Sequence, residues 1–351
     1  MMRFDGFDPI LTVLRLSRLR ELSANLKSVP ADWGSSTLLS LYAKTQFWLP
    51  MNTIEGQVTQ PCRHDGKPND CIGRLIRYLA AQVKPSPSNC GCVGEHRCHF
   101  YEVFMQIKVL ELLQLNLHTH SSLQCVNLQC YGELPGMQVM RGVFSPEFAT
   151  DSYHWARFIT QKGLVRRKNV LEMGAGSGVI SLYLQRKENP LRICAVDVNS
   201  NAVVNLSANL DLFDIDRSGF DVIESDLFDR VPVEIRFDVI LWAMPWILVE
   251  DPYFRQVLGE CEDPLEQALL RSAIDPGAES VLRFISDAKS RLSPGGKVLL
   301  ISSDFIPNWL IRAHAESEGF AVEETKFARE LMVVEATGMT LDLIHIELTL
   351  Q

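Results

Sequence analysis

The strongest constraint on the fold of this chain is a glycine-rich stretch at residues 169–184, NVLEMGAGSGVISLYL. A short apolar run precedes three glycines at every second position, Gly174, Gly176 and Gly178, and an apolar helical pattern follows them. This order is typical of the first strand–turn–helix unit of a doubly wound α/β sheet. Glycine permits the sharp turn and leaves no side chain between the backbone and a ligand. Ser177 is predicted to help cap the helix.

The spacing of the glycines favours one kind of ligand over another. Turns that bind dinucleotides follow the order G-x-G-x-x-G, with the last glycine inside the helix, but that position is Val179. The order here is acid-x-G-x-G-x-G, and it begins with Glu172. This spacing suits a ligand whose adenosine and amino-acid ends lie across the turn and which has no pyrophosphate. A tight turn that binds nothing is the alternative.

Composition limits the class of protein. The chain has 351 residues, of which 46% are hydrophobic and 22% charged, as in soluble globular proteins of one large or two ordinary domains. Its net charge of −9 argues against a nucleic-acid-binding surface. No stretch reaches the roughly 18 to 20 apolar residues that span a bilayer, and nine cysteines, an odd number, favour reduced thiols. We therefore expect a cytoplasmic protein with no nucleic-acid or membrane partner.

The chain divides into two regions by pattern. Residues 1–140 are predicted to form a helical N-terminal cap domain with a cysteine-rich loop and a hairpin, and helical patterns cover residues 8–27, 35–48, 71–83 and 100–115. We expect this region to cover the carboxyl ends of the strands, where α/β sheets bind ligands. The alternative is that this region is a scaffold or an oligomerisation domain. An oligomerisation domain is consistent with a homodimer.

Residues 141–351 show alternating strand and helix patterns, typical of a parallel sheet with crossover helices. The sequence predicts an α/β fold with a doubly wound, mostly parallel seven-stranded sheet and an antiparallel C-terminal strand. Strands are predicted at 169–173, 192–197, 220–224, 236–242 and 297–303, with two extended runs at 321–334 and 341–350. Helices are predicted at 177–186, 199–211, 279–292 and 307–318.

Polar and aromatic residues follow three of these strands. Asp197 ends the second strand, where an acid can accept hydrogen bonds from both hydroxyls of a ribose; a helix cap is the alternative. Asp226 follows the third strand and could accept from an adenine amino group, near the Leu227 amide. The fourth strand runs into Met244-Pro-Trp246, which could form an apolar wall beside a sulfonium or simply pack in the core.

These motifs resemble those of class I S-adenosyl-L-methionine (SAM)-dependent methyltransferases over about residues 140–350. The resemblance lies in the acid and three glycines of the first motif, in the acids after the second and third strands, and in the terminal strand pair. The segment GVFSP at 142–146, with Asp151, also resembles the lead-in of the small-domain branch of that family. The resemblance implies a Rossmann-like fold, SAM as cofactor and a transferase activity.

The resemblance also assigns contacts with SAM. It places Glu172 near the methionine end, Asp197 on the ribose, and Asp226 with Leu227 on the adenine. The full set of expected cofactor-binding residues is Phe144, Glu172, Gly174, Gly176, Gly178, Asp197, Asp226 and Leu227.

One position departs from the family pattern. N-methylating members of the branch have Asn, Asp or Ser and then Pro-Pro-aromatic after the fourth strand, whereas the residues here are Ala243-Met-Pro-Trp246. Alanine cannot hold a target amino group, so methylation of an amide or a nucleobase by that geometry is not expected. Together with the acidic net charge, this favours a small-molecule substrate in secondary metabolism over RNA.

Three residues are candidates for handling the nucleophile. Tyr153 could hold a cation over its ring, an interaction worth about 0.5 to 2 kcal/mol. Trp246 belongs to the apolar wall, and Asp304 ends the fifth strand at the same edge of the sheet. Each has a structural alternative, as a core residue or a helix cap. In-line transfer depends mostly on positioning, so a strong base is needed only for a protonated nucleophile.

The cysteines and histidines of the N-terminal region are ligand types for zinc or an iron–sulfur cluster. They lack paired C-x-x-C spacing, so we expect no metal and interpret them as reduced thiols in the cap. They are Cys62, His64, Cys71, Cys90, Cys92, Cys98 and His99.

Two alternatives to methyl transfer remain open. The chain also resembles, more faintly, the methyltransferase-like azetidine-2-carboxylate synthases, which cyclise SAM itself and release methylthioadenosine. Such an enzyme needs no co-substrate and no polar residue at Ala243. A non-catalytic partner subunit with the same fold is the other alternative, and the intact glycine turn and its acids speak against it.

Overall fold

The computed structural model of the protein describes residues 70–82, 99–119, 124–125, 134–147, 151–331 and 340–351. The helices predicted at 8–27 and 35–48 and the cysteine-rich loop at 84–94 lie outside the described residues.

A seven-stranded sheet forms the centre, as predicted. Its strands are β3 Asn169–Met173, β4 Arg192–Asp197, β5 Phe220–Glu224, β6 Phe237–Ala243, β7 Leu292–Ser303, β8 Phe320–Leu331 and β9 Thr340–Leu350. Their order across the sheet is β5-β4-β3-β6-β7-β9-β8. The first five strands in that order pair in parallel, and β9 runs antiparallel to both β7 and β8. Because the chain leaves β3 toward β4 on one side and returns to β6 on the other, the carboxyl ends of β3 and β6 flank a topological switch point.

The inner strands are buried on both faces. Residues 170–173, 193–196 and 239–242 are all buried, and all but Glu172 are apolar, as expected for parallel strands that helices cover on both sides. A separate antiparallel pair joins β1 Gln124–Cys125 to β2 Gln138–Val139. That pairing is two residues long and lies within the two runs, 121–131 and 138–144, for which the sequence predicts a hairpin.

Helices cover the sheet and flank the hairpin. They are α1 Cys71–Gln82, α2 His99–Thr119, α3 Asp151–Gln161, α4 Val179–Glu188, α5 Ser200–Leu212, α6 Pro252–Glu260, α7 Pro264–Ala273, α8 Glu279–Lys289 and α9 Asn308–Ser317. None of the helices in the described ranges has the length and apolar character needed to span a membrane.

The sequence analysis missed α6 and α7, which follow β6. Each begins with an Asp-Pro pair in which the aspartate caps the helix and the proline takes its first position. Asp251 accepts a hydrogen bond from the Tyr253 amide at 2.8 Å, and Asp263 accepts one from the Leu265 amide at 2.9 Å. These capping pairs are visible in the sequence and are a sufficient signal for both helix starts, although the sequence analysis did not use them.

Helices α1 and α2 pack against α6 and α7. The described residues therefore belong to one compact unit, Gly66–Val333 with Met339–Gln351. The boundary near residue 140 between a cap and a SAM-binding domain stays a prediction, because α1 and α2 are integrated into this unit.

Candidate functional site

A cavity of about 790 Å³ opens at the carboxyl ends of β3, β4, β5 and β6. Helix α2 contributes Val109 and Leu112 to its wall, so part of the N-terminal region reaches the site. Most of the residues singled out in the sequence come together here. Those that line the cavity are Phe144, Glu172, Gly174, Gly176, Asp197, Asp226, Leu227 and Trp246.

The three glycines of the turn have positive φ angles of 63°, 55° and 86°, which glycine adopts without strain. They serve different purposes. A Cβ on Gly174 would lie 2.7 Å from Trp242 Nε1, and one on Gly178 would overlap Leu206 Cδ1. A Cβ on Gly176 would meet no atom nearer than 4.0 Å. Gly176 therefore keeps the backbone open to a ligand, whereas the other two allow close packing.

Gly178 does not line the cavity, and it takes the capping position expected of Ser177. It is the N-cap residue of α4, in the left-handed conformation and without a side-chain hydrogen bond. Ser177 is buried instead, and its carbonyl accepts a hydrogen bond from Asn209 Nδ2 at 2.9 Å. The expected cap by Ser177 is therefore wrong, because close packing against α5 fixes this turn.

Asp197 joins the end of β4 to the glycine turn. Its Oδ2 accepts from the Gly176 amide and its Oδ1 from the Asn199 amide, both at 2.8 Å. Burial raises the pKa of Asp197, and these backbone hydrogen bonds oppose that rise. A carboxylate has about four acceptor positions, so each oxygen can still accept from one hydroxyl. The arrangement fits a ribose diol.

Glu172 lies in the cavity wall with only 2% of its surface exposed. Burial raises its pKa to about 8, the Ser181 hydroxyl that donates to it lowers it, and the nearby Asp197 raises it further. A positive charge beside this carboxyl would compensate the cost of ionising it. SAM carries such charges on its sulfonium and its ammonium, so the site fits that cofactor.

Asp226 and Leu227 form the third part of this wall. Asp226 makes an ion pair with Arg283 of α8. Leu227 has a positive φ of 46°, which is rare for a branched side chain and marks a constrained turn. Its side chain is buried, so packing holds the constrained backbone in place.

Asparagines fasten the lead-in segment at residues 138–145 beside the glycine turn. On α5, Asn205 Oδ1 accepts from the Met140 amide at 2.6 Å, and Asn209 Oδ1 accepts from the Gln138 amide at 2.8 Å. Both side-chain amides also donate to the Gln138 carbonyl at 2.8 Å. These asparagines complete the backbone hydrogen bonds of a segment that does not pair with the central seven-stranded sheet.

Helix α2 holds the next part of the same segment. Asn116 is fully buried, donates to the Val143 carbonyl at 3.2 Å and accepts from the Ser145 amide at 2.7 Å. Phe144 is thereby held between two anchored residues where it lines the cavity. The sequence did not predict these six hydrogen bonds of Asn116, Asn205 and Asn209, although asparagines four residues apart on a helix, as at 205 and 209, share one face.

The end of β6 forms an apolar wall at residues 243–246. Met244 is buried, and Trp246 packs edge-on against Phe305 with ring centroids 5.7 Å apart. The Trp246 and Ile247 amides donate to the Ala273 carbonyl at 3.0 and 2.8 Å, which ties this wall to the end of α7.

Helices α6 and α7 add polar groups to the same side of the cavity. Arg255 is bound by Glu250 and Glu279 at 2.5 and 2.8 Å. Gln267 donates through Nε2 to the carbonyls of Leu258 and Cys261, at 3.2 and 3.4 Å. Its Oε1 receives no hydrogen bond from any residue in the described part of the chain, so it remains an acceptor in the cavity wall.

Two of the expected catalytic residues do not line the cavity. Tyr153, on α3, packs edge-on against Tyr183 with centroids 5.7 Å apart. Asp304 follows β7, but it accepts from the Asp342 amide at 3.1 Å and donates its own amide to the Asp342 carbonyl. The backbone of the antiparallel strand β9 therefore forms hydrogen bonds with Asp304, and this residue does not lie at the open edge of the sheet. The geometry gives no support for direct contact with a substrate by either residue.

Comparison with known proteins agrees with this architecture. Residues 139–251 match the family model described as methyltransferase small domain. A Methanocaldococcus jannaschii protein, provisionally named a protein N5-glutamine methyltransferase, is 32% identical over 179 residues, covering 49% of this chain and 82% of that protein. The ribosomal RNA small subunit methyltransferase C of Mannheimia succiniciproducens is 29% identical, covering 40% of this chain and 34% of its own length.

Among solved structures, a Thermus thermophilus 16S rRNA N2 G1207 methyltransferase in complex with SAM and guanosine matches with a TM-score of 0.42 and 20% identity. The match covers 61% of this chain and 47% of that one. The chain thus spans about a third to a half of these two ribosomal RNA methyltransferases.

The expectation of a small-molecule substrate with no nucleic-acid partner is wrong in the light of these matches, because the relatives, by their names, modify protein or ribosomal RNA. That expectation rested on a net charge of −9 and on Ala243. Net charge describes a whole chain and says little about one binding surface, and a single residue does not define a substrate class.

The glycine turn fastened to Asp197 and the buried Glu172 form a site suited to SAM at the switch point of a seven-stranded sheet. The extent of the similarity to the Methanocaldococcus protein agrees with that geometry. The chain belongs to the class I SAM-dependent methyltransferases and is an enzyme that uses SAM.

Proposed function

We propose that this enzyme transfers the methyl group of SAM to a side-chain nitrogen of another protein. The observation that carries the proposal is the similarity to the protein N5-glutamine methyltransferase of Methanocaldococcus, which extends over 82% of that protein. The similarity to the ribosomal RNA enzyme covers only 34% of that enzyme's length. Residues outside the shared domain usually determine the macromolecule that is bound, so the more extensive match has more weight.

The charge of the cavity also favours protein over RNA. Binding of a phosphate backbone depends on arginine and lysine, yet acids outnumber bases six to two among the charged residues in the wall. The acids are Asp151, Glu172, Asp197, Asp226, Asp275 and Glu279, and the bases are Arg255 and Arg271. Arg255 is already bound by two glutamates.

The residues of the chain hold and orient the reactants. Bound SAM supplies an electrophilic methyl group on a positively charged sulfur. We assign its ribose to Asp197, its adenine to Asp226 and Leu227, and its methionine end to Glu172. Met244 and Trp246 exclude water from the methyl group, and transfer then depends on alignment of the incoming nitrogen.

In this proposal, Gln267 supplies the hydrogen-bond acceptor that Ala243 lacks. Alanine at the end of β6 has no acceptor for the N–H group of a target amide or amine. Gln267 lies in the cavity wall, and its Nε2 is committed to two carbonyls. Its Oε1 can therefore accept a hydrogen bond from the target and orient the nitrogen lone pair toward the methyl group.

The test is to incubate the enzyme with methyl-labelled SAM and a cell extract. One portion of the labelled product is then treated with protease and another with nuclease. We expect label that survives nuclease and is released by protease, and roughly tenfold less label with an Asp197→Ala variant when the SAM concentration is below the dissociation constant. Label released by nuclease would contradict the protein substrate. Methylthioadenosine formed from SAM alone would contradict methyl transfer altogether.

A further inference from the structure

Three metal-ligating side chains meet in the interior at the junction of α1, α6 and α7. Cys71 is the first residue of α1, Cys261 follows α6, and Glu266 lies in the first turn of α7. The two Sγ atoms and one carboxylate oxygen of Glu266 all lie within 4.8 Å of one another. The exposed fractions of Cys71, Cys261 and Glu266 are 0%, 6% and 2%. The cluster lies outside the cavity described above.

The carboxyl of Glu266 is aimed at the thiols. Its Oε1 accepts from the Ile72 amide at 2.8 Å, and its Oε2 lies 3.9 Å from Cys261 Sγ. The nearest arginine along α1, Arg74, is bound instead to Glu260 at 2.7 Å. In the described ranges no lysine or arginine pairs with Glu266, and burial raises its pKa. A buried carboxyl without a counter-charge is costly, and a bound cation would remove that cost.

We propose that Cys71, Cys261 and Glu266 bind one zinc ion. Two thiolates and a carboxylate match the preference of zinc, whereas calcium and magnesium avoid sulfur. With Zn–S near 2.3 Å and Zn–O near 2.1 Å, tetrahedral ligand atoms lie about 3.6 to 3.8 Å apart. The two Sγ atoms and the Glu266 oxygen, which lie within 4.8 Å of one another, reach these tetrahedral separations with a movement of about 1 Å.

Binding releases two protons and leaves a net charge of −1 at the site. Each thiol releases its proton to solvent as its sulfur bonds to zinc, and Glu266 ligates as a carboxylate through Oε2. The three ligands bring three negative charges and the ion two positive ones. A water molecule completes the fourth position, as in three-ligand zinc sites. The zinc would fasten the start of α1 to the α6–α7 segment, which supplies Arg255 and Gln267 to the cavity wall.

A disulfide is the competing use of two neighbouring thiols. It would explain the approach of Cys71 to Cys261, but it would add no positive charge beside the buried Glu266 carboxyl, which also accepts from the Ile72 amide. The sequence analysis could not find this cluster, because 190 residues separate its two cysteines along the chain.

The first test measures metal content. The full-length protein is purified without chelator, loaded with zinc, desalted and analysed by elemental mass spectrometry. We expect Cys71→Ser and Cys261→Ser each to hold one zinc fewer per chain than wild type. Cys194→Ser is the matched control, a buried cysteine of β4 outside the cluster, and it should hold as much zinc as wild type. Equal zinc in wild type and Cys71→Ser would overturn the proposal.

Two further measurements apply where a cysteine variant fails to fold. Glu266→Gln keeps the size of the side chain and should weaken zinc binding by at least about tenfold, since even outer-shell changes have that effect. Cobalt loaded into the wild-type protein should give a thiolate-to-metal charge-transfer band that zinc displaces. Peptide mapping that finds Cys71 joined to Cys261 as a disulfide in protein purified under reducing conditions would refute the site.

Discussion

The two sides of the cavity are built by different means. The side that we propose for the cofactor consists of the glycine turn with Asp197, Asp226 and Leu227. The side that we propose for the substrate consists of residues 243–246 with α6 and α7. On the cofactor side, backbone amides at neighbouring strand ends bind one carboxylate, at 2.8 Å from Gly176 and from Asn199. On the substrate side, the amides of Trp246 and Ile247 donate to the Ala273 carbonyl at the end of α7.

This difference shows how a constant ligand and a variable one shape a fold. SAM has the same shape in every member of the family, so short local motifs suffice to recognise it. The substrate differs between members, and inserted helices and their ion pairs can change without disturbing the sheet. The two sides should therefore respond differently to substitution.

Gly178→Ala should cause the largest loss of stability on the cofactor side. Its φ of 86° costs an L-residue about 1 to 2 kcal/mol, and overlap with Leu206 adds about 1 to 3 kcal/mol. Urea unfolding should show the free energy of unfolding reduced by roughly 2 to 5 kcal/mol. Gly163→Ala is the control, with a φ of 63° and no atom within 4 Å of the new Cβ. Equal losses in both variants would show that Leu206 moves aside.

Glu172→Gln should change how stability depends on pH. The pKa of Glu172 is about 8 in the folded protein and near 4.5 in the unfolded one. Between these values the folded state binds one more proton, so the free energy of unfolding falls as pH rises. Without SAM, the variant should gain about 3 to 4 kcal/mol of stability relative to wild type between pH 5 and pH 8. Glu224→Gln, at an exposed site, should parallel wild type. A constant difference across this range would mean that Glu172 does not titrate there.

Asp197→Ala should weaken SAM binding by at least about tenfold, or roughly 1.4 kcal/mol, because it removes the acceptor for two ribose hydroxyls and for the Gly176 amide. Isothermal titration calorimetry measures the dissociation constant. Asp216→Ala, at an exposed carboxyl outside the cavity, is the control. Unchanged affinity in Asp197→Ala would remove this residue from the site.

Gln267→Ala should have the smallest effect and should act on the substrate side alone. We expect methyl transfer to protein to fall by about fivefold, or roughly 1 kcal/mol, with the affinity for SAM unchanged. Gln267→Glu keeps an acceptor oxygen and should recover part of the activity. Weakened SAM binding in both variants would show instead that Gln267 supports the cofactor side.

The sequence predicted which residues meet at the cavity on the cofactor side, because the determinants of their positions are local. Glu172, Gly176 and Asp197 lie at the ends of strands whose order follows from the alternation of strand and helix. The parallel sheet and the antiparallel β9 follow from the same patterns. Each of these features depends on residues a few positions apart or on neighbouring strands.

The rest of the site depends on contacts between distant segments. Nothing near Asp304 in sequence shows that Asp342 will bind it, and nothing near Gln138 shows that Asn205 and Asn209 will complete its hydrogen bonds. Helices α6 and α7 differ from these cases, because the Asp-Pro pairs that begin them are a local signal in the sequence that was not used.

The closeness of Gly174 to Trp242 has an optical consequence. The indole Nε1 of Trp242 lies against the glycine turn, and the ring is almost fully buried in the cavity wall beside Phe284. Cofactor entering the turn changes the polarity around this ring and around Trp246, which also lines the cavity. The part of the emission change that a Trp242→Phe variant loses therefore reports the glycine turn when unlabelled SAM is titrated by fluorescence.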